Sequence, residues 1–233
     1  MKKLLLLALV TGISLPYAFS QKNEKFYSES GGELIFSFAD VTYNGQDLNN
    51  KLRFSFFLHM GQHIHYNFSS NMGIFSGYGL RNIGFITEQN NIITKRRTYA
   101  LGVPLALKFG SFDDHFYFYG GGEYELFFHY KQKELVNGDK IKFSEWFSDR
   151  TERFVPSLFA GVQFPKGINL KFKLYPGHFI NRGFTGTDFG RPVDYSDYTR
   201  SRLFYIALSF NMPTKKIREI YDPNVREAHF VGL

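Results

Sequence analysis

Thr98-Tyr99-Ala100-Leu101-Gly102-Val103-Pro104-Leu105-Ala106-Leu107-Lys108-Phe109 alternates between two kinds of side chain. Tyr99, Leu101, Val103, Leu105, Leu107 and Phe109 form one face, and Thr98, Ala100, Gly102, Ala106 and Lys108 form the other. A period of two is the pattern of a strand, not of a helix. The run is also longer than the globular strand of about 5–6 residues.

The same alternation recurs along the chain. Residues 33–42, 52–68, 72–87, 97–109, 116–130, 154–164, 168–175 and 202–210 read as eight strands, with the 72–87 segment Gly-rich and suited to a bulge. The connections alternate in length. Ser69-Ser70-Asn71, Gly110 to Asp114 and Pro165-Lys166-Gly167 are short. Residues 43–51, 88–96, 131–153 and 179–201 read as longer polar loops. Short turns at one end and long loops at the other are the build of an outer-membrane barrel. An even strand number puts both ends of the barrel on the short-turn, periplasmic side.

Alternation alone does not separate a soluble barrel from one in lipid. The composition of the non-apolar face does. It is mostly Ser, Thr, Gly, Ala, Asn and Tyr with sparse charge, which suits the narrow interior of eight strands rather than a face turned to water. The opposite face is Leu, Phe, Ile and Val. Phe68, Phe109, Phe116, Phe164 and Phe210 all fall where strands meet the short turns, as an aromatic girdle requires. Pro104 and Pro156 lie inside strand patterns and cannot donate ladder bonds, so each predicts a bulge or a strand end. The expected fold is all-β, an eight-stranded antiparallel up-and-down transmembrane β-barrel located in the outer membrane.

Composition narrows the class further. The chain has 28 Phe and 15 Tyr, which favour strands. It has no cysteine, so neither a disulfide framework, a thiolate metal site nor a lipidated cysteine is available. Lys2 and Lys3, an apolar run from Leu4 to Val10 and small residues at Ala18 and Ser20 form a secretion signal, with cleavage expected before Gln21. Loss of that segment lowers the formal charge from +7 to +5. The remaining charge is scattered, without the clustered stripe and module that nucleic-acid binding needs. The expected organisation is a signal peptide at 1–20, a lead at 21–32, the barrel at 33–211 and a periplasmic tail at 212–233.

Candidate chemistry lies on the inward face. His59, His63 and His65 share one parity, as do Glu123, Glu125 and His129. A His-x-His pair suits a metal, and a carboxylate near histidine suits acid–base work, but no spacing supplies a third ligand. The residues read instead as a polar network filling the lumen, with Glu123 and Glu125 paired to Lys171, Lys173, Arg53 or Arg81. Neither a cofactor, a metal nor a catalytic residue is assigned. The third and fourth long loops carry Glu145, Asp149, Arg150, Asp188, Arg191 and Arg200, where a rim site or a binding surface would sit. Trp146 reads as a loop staple or membrane-edge anchor.

Ser76-Gly77-Tyr78-Gly79-Leu80-Arg81-Asn82-Ile83-Gly84-Phe85, Arg96-Arg97-Thr98-Tyr99 through Pro104 to Gly110, and Phe118 to Lys133 with Gly120-Gly121-Gly122-Glu123-Tyr124 carry a resemblance to a family. The chain resembles the PorT-like outer-membrane barrel proteins of Bacteroidota. No enzymatic activity is expected of the chain, the alternatives being a barrel enzyme acting on lipid or peptide at the rim or a surface-binding protein using its long loops; the resemblance implies an eight-stranded barrel in the outer membrane. It also implies a part in envelope assembly or type IX protein secretion, with outer-membrane lipid and envelope or secretion proteins as partners. It brings no catalytic residues, and the long tail departs from it.

Overall fold

The computed structural model describes residues 25–136 and 138–213. The expected signal peptide and residues 214–233 of the expected tail lie outside the described residues. Eight strands form the wall: β1 Phe26–Tyr43, β2 Met60–Asn67, β3 Met72–Gln89, β4 Ile92–Ser111, β5 Phe116–Val136, β6 Phe154–Gln163, β7 Ile168–Leu174 and β8 Tyr198–Pro213. Each pairs antiparallel with the next, and β8 pairs with β1 from Glu29↔Pro213 to Tyr43↔Tyr198, which closes the ring. β1 begins at Phe26, so most of the segment read as a lead is wall.

Side chains of one parity point out and form an apolar belt. On β4, Val103, Leu105, Leu107 and Phe109 are exposed; on β7, Ile168, Leu170, Phe172 and Leu174; on β8, Ile206, Leu208 and Phe210. The five phenylalanines of the short-turn end are all exposed, with Phe116 and Phe164 in ring contact at 5.9 Å. A closed ring with such a belt outside is the form in which strands stand in lipid.

Two irregularities interrupt the regular wall. β4 pairs Tyr99 with His129 and then Ala100 with Phe127, so Phe128 is an extra residue, a β-bulge. Below it the odd residues of β5 point in, and above it Tyr130, Gln132 and Glu134 do. The second lies beside β2. Its ladder with β3 ends at Met60↔Leu80, and pairing with β3 resumes only at Lys51↔Ile86. Arg53–Ser55 bridges this break by pairing with β1 alone. Side chains satisfy the β3 backbone there. Asn82 N–H donates to His59 Nδ1 at 3.3 Å, Arg53 Nη2 donates to Asn82 O at 3.1 Å, and Ser37 Oγ donates to Gly84 O at 2.7 Å.

The prolines need no bulge. Pro104 pairs with Glu123 in unbroken register, and the β3–β4 ladder has a gap between Ser76↔Leu105 and Gly79↔Gly102, beside the missing donor. Pro156 is the third residue of β6, beyond the last pair with β7 at Leu158↔Leu174, and so matches the strand-end expectation.

The expected loop at 88–96 is not a loop. β3 and β4 continue to a two-residue turn at Asn90-Asn91, whose φ values of 51° and 63° give the type I′ geometry that follows strand twist. The other long connections fold as short hairpins. Gln46–Asp47 pairs back on β1, Asp139–Trp146 on β5, and Thr185–Asp188 pairs with Arg191–Asp194. The interior beneath them is layered. Its long-loop half is an apolar core of Ile35, Ile83, Phe85, Phe127, Val155 and Leu203, into which Phe179 and Ile180 descend from the last long connection. Its short-turn half is polar and charged around a smaller aromatic cluster of Phe75, Tyr117, Tyr119 and Phe159.

Candidate functional site

The polar half of the lumen is built by strand alternation. Glu33 on β1, Arg81 on β3, Glu123 and Glu125 on β5, and Lys171 and Lys173 on β7 all have inward parity, and the small bore brings their charged ends together. Arg81 is the hub. Its Nε donates to Glu33 Oε2 at 3.2 Å, its Nη1 donates to Glu123 Oε1, and Nη1 lies 3.7 Å from Glu125 Oε1. Lys171 Nζ donates to Glu33 Oε1 at 2.5 Å. Lys173 Nζ reaches Glu123 Oε2 at 2.7 Å and Glu125 Oε1 at 3.1 Å. Ser157 Oγ donates to Glu125 Oε2 at 3.3 Å. Three carboxylates face three cations, so the cluster is neutral. Buried charge is tolerated when paired and hydrogen-bonded in this way.

Glycine makes the room. A Cβ at Gly102 would stand 2.0 Å from Glu123 Oε1, and one at Gly161 would stand 2.3 Å from Tyr119 Oη. The free space left beside Arg81 is about 20 Å³, enough for a water molecule or so.

Below this lattice a second group closes the short-turn mouth. Lys108 Nζ donates to Tyr27 Oη at 2.7 Å and to His65 Nδ1 at 3.2 Å. It also lies over the rings of Phe112 at 4.4 Å, Tyr27 at 4.6 Å and Tyr117 at 5.3 Å, a cation–π enclosure. With Nδ1 accepting, His65 carries its hydrogen on Nε2, which faces Glu29 Oε2 at 3.6 Å.

The expected network is therefore divided. Glu123, Glu125, Lys171 and Lys173 meet at the Arg81 hub. His63 lines the same space and packs on Phe75 at 5.1 Å. Arg53 is inside but apart from the carboxylates, with Nη2 on Asn82 Oδ1 at 2.8 Å. His59 is inside at the wall break. Because its Nδ1 accepts from Asn82, its Nε2 donates to Ser55 Oγ, at 2.7 Å. His129 is not in the lumen. The Phe128 bulge turns it outward, where it stacks on Trp146 with ring centroids 4.2 Å apart and planes within 2°. Trp146 also stacks on Phe128 at 5.8 Å and is 64% exposed on the outer wall.

Glu29 and Glu33 were missed. Glu29 lies in the expected lead; Glu33 is already on the odd, inward parity of 33–42, and extending that parity backwards reaches Glu29. At the long-loop end, Arg150 joins two connections by donating to Asp188 Oδ1 at 2.8 Å and Thr187 O at 2.6 Å. Arg200 holds Asp40 at 3.2 Å and Asp47 at 3.0 Å.

No family model and no curated protein sequence matches the chain. Several solved barrels are similar in outline. Ail of Yersinia pestis is 14% identical at a TM-score of 0.37, over 80% of this chain and 99% of its own. Neisserial surface protein A is 9% identical at 0.39, over 81% and 97%. The outer membrane protein OprG from Pseudomonas aeruginosa is 10% identical at 0.36, over 81% and 96%. At such identities and scores these likenesses transfer no activity, ligand or partner.

Proposed function

We propose that the chain is a sealed outer-membrane barrel, serving the bacterial envelope as a structural or accessory element and not as a pore or an enzyme. The observation that carries this is the Arg81 hub. A bore crossed by mutually neutralised side chains leaves water-sized space and no continuous path for ions. Glu33, Arg81, Glu123, Glu125, Lys171 and Lys173 are engaged with one another, which supports a structural use of these groups. The PorT-like segments 76–85, 96–110 and 118–133 favour a part in type IX secretion or envelope assembly, with outer-membrane lipid and envelope proteins as partners.

Heat-modifiable gel migration of the membrane fraction tests the barrel in lipid, and a chain recovered wholly in the soluble periplasm overturns it. Planar-bilayer recording tests the seal. Stepwise ion conductance from the unmodified protein overturns that part. Alanine at His63, His65 and Glu123 tests the absence of catalysis: loss of an envelope-modifying activity from a variant that still folds would overturn it.

A further inference from the structure

A cleft of about 280 Å³ opens at the long-loop end, between the β3–β4 hairpin, the Arg191–Asp194 segment and Tyr198. Arg96 lines it. This side chain is 6% exposed, yet among the described residues it forms no ion pair with a carboxylate. It donates one hydrogen bond, from Nη2 to Tyr198 Oη at 2.8 Å, and its Nε is buried without a partner. The acids of the cleft are occupied elsewhere. Glu134 is held by Arg191 and accepts from Gln132 Nε2 at 3.2 Å. Asp188 accepts from Arg150 Nε at 2.8 Å and from Tyr195 Oη at 2.6 Å. Arg96 is thus, like Arg53 and Lys108, a buried cation without an ion-paired carboxylate among the described residues, and of these three it is the one that lines the cleft. Such a charge is costly until an anion reaches it.

We propose that this cleft binds a small polyhydroxylated carboxylate, a sugar acid, with its carboxylate on Arg96. The planar guanidinium fork matches a carboxylate in shape and charge. The walls match the rest of such a molecule. Thr94 and Gln89 offer hydroxyl and amide groups to sugar hydroxyls. Tyr43, half-buried and packed on Tyr198 with ring centroids 4.7 Å apart, offers aromatic surface to the C–H face of a sugar ring. The volume lies just below the range of drug-sized pockets, which starts at about 300 Å³, and suits one sugar ring.

Equilibrium dialysis of the folded barrel in detergent micelles, with labelled galacturonate and with galactose as its neutral counterpart, tests the site. Galacturonate is retained, and galactose binds at least about tenfold more weakly. Arg96→Gln reduces galacturonate to the galactose level. Val193→Trp fills the cleft from its wall without touching the charge and abolishes retention while heat-modifiable migration persists. Arg153→Gln, in the exposed pair with Asp149 away from the cleft, binds like the unmodified protein. Equal retention of the two sugars, no retention at millimolar concentration, or unchanged binding by folded Val193→Trp overturns the proposal. The last three outcomes stand even where Arg96→Gln fails to fold.

Discussion

Glu123 and Lys173 meet inside the barrel with 2.7 Å between Oε2 and Nζ, and their side chains are 2% and 0% exposed. Each is the other's substitute for water. Lys173→Met leaves Glu123 and Glu125 with Arg81 alone, and breaking a buried pair in this way costs about 3–5 kcal/mol. The urea midpoint of unfolding, read by gel migration, falls accordingly. Adding Glu125→Gln restores part of the loss by removing the surplus charge. A single variant as stable as the parent would show that the pair is hydrated.

Gly102 tests the same lattice from the opposite wall. Gly102→Leu forces Glu123 off Arg81, because the first added carbon already stands 2.0 Å from its Oε1. Loss of stability on the scale of Lys173→Met is expected, and the two substitutions together cost less than their sum, since both break one network. Additive effects would separate them.

Phe179 seals the apolar half. Its ring meets Phe85 at 5.3 Å and Phe127 at 5.6 Å. Phe179→Ala leaves a cavity and costs about 3–5 kcal/mol. Because the charged lattice lies beneath, planar-bilayer recordings of this variant still show no conductance. Conductance from Phe179→Ala alone would place the barrier at the loop.

His129 separates bulge from unbroken strand. Stacked outside on Trp146, it contributes about 0.5–1.5 kcal/mol, the scale of an aromatic pair. His129→Ala therefore shifts the unfolding midpoint slightly and leaves the Arg81 lattice intact. A loss comparable to Lys173→Met would put the ring back inside.

At the rim, the hydroxyl of Thr42 and the cation of Arg200 lower the carboxyl pKa of Asp47 below its usual 3.8. A depressed carboxyl contributes stability above its unfolded pKa and loses it as pH falls through the folded value. The β1 hairpin, closed by Leu48 N–H donating to Val41 O at 2.8 Å, is held by these contacts. The amide protection factor of Leu48 in the parent falls as pH drops below about 4. In Asp47→Asn it is low at every pH. A pH-independent parent would rule out this tether.

Strand identity was legible because period two survives in a single chain. So was inward parity for Glu123, Glu125, Lys171 and Lys173, which lie on uninterrupted runs. Parity failed at His129, where one extra residue at Phe128 reverses every later side chain of β5. Loop length failed at 88–96, because polar residues there belong to strands that rise beyond the apolar belt. The lumen also proved more apolar than its small residues implied, since Phe179 and Ile180 enter it from a connection.

From the sequence alone came the number of strands, their antiparallel order, the outward belt and the end at which the short turns lie. These follow from local alternation and spacing, which need no knowledge of neighbours. Only the tertiary structure decided that Arg81 is the hub, that Glu33 completes its neutralisation and that Arg96 is left without a carboxylate. Those relationships join residues 48 positions apart for Arg81 and Glu33, and 102 apart for Arg96 and Tyr198. Closure of the ring sets them, because the narrow bore fixes which inward side chains can touch.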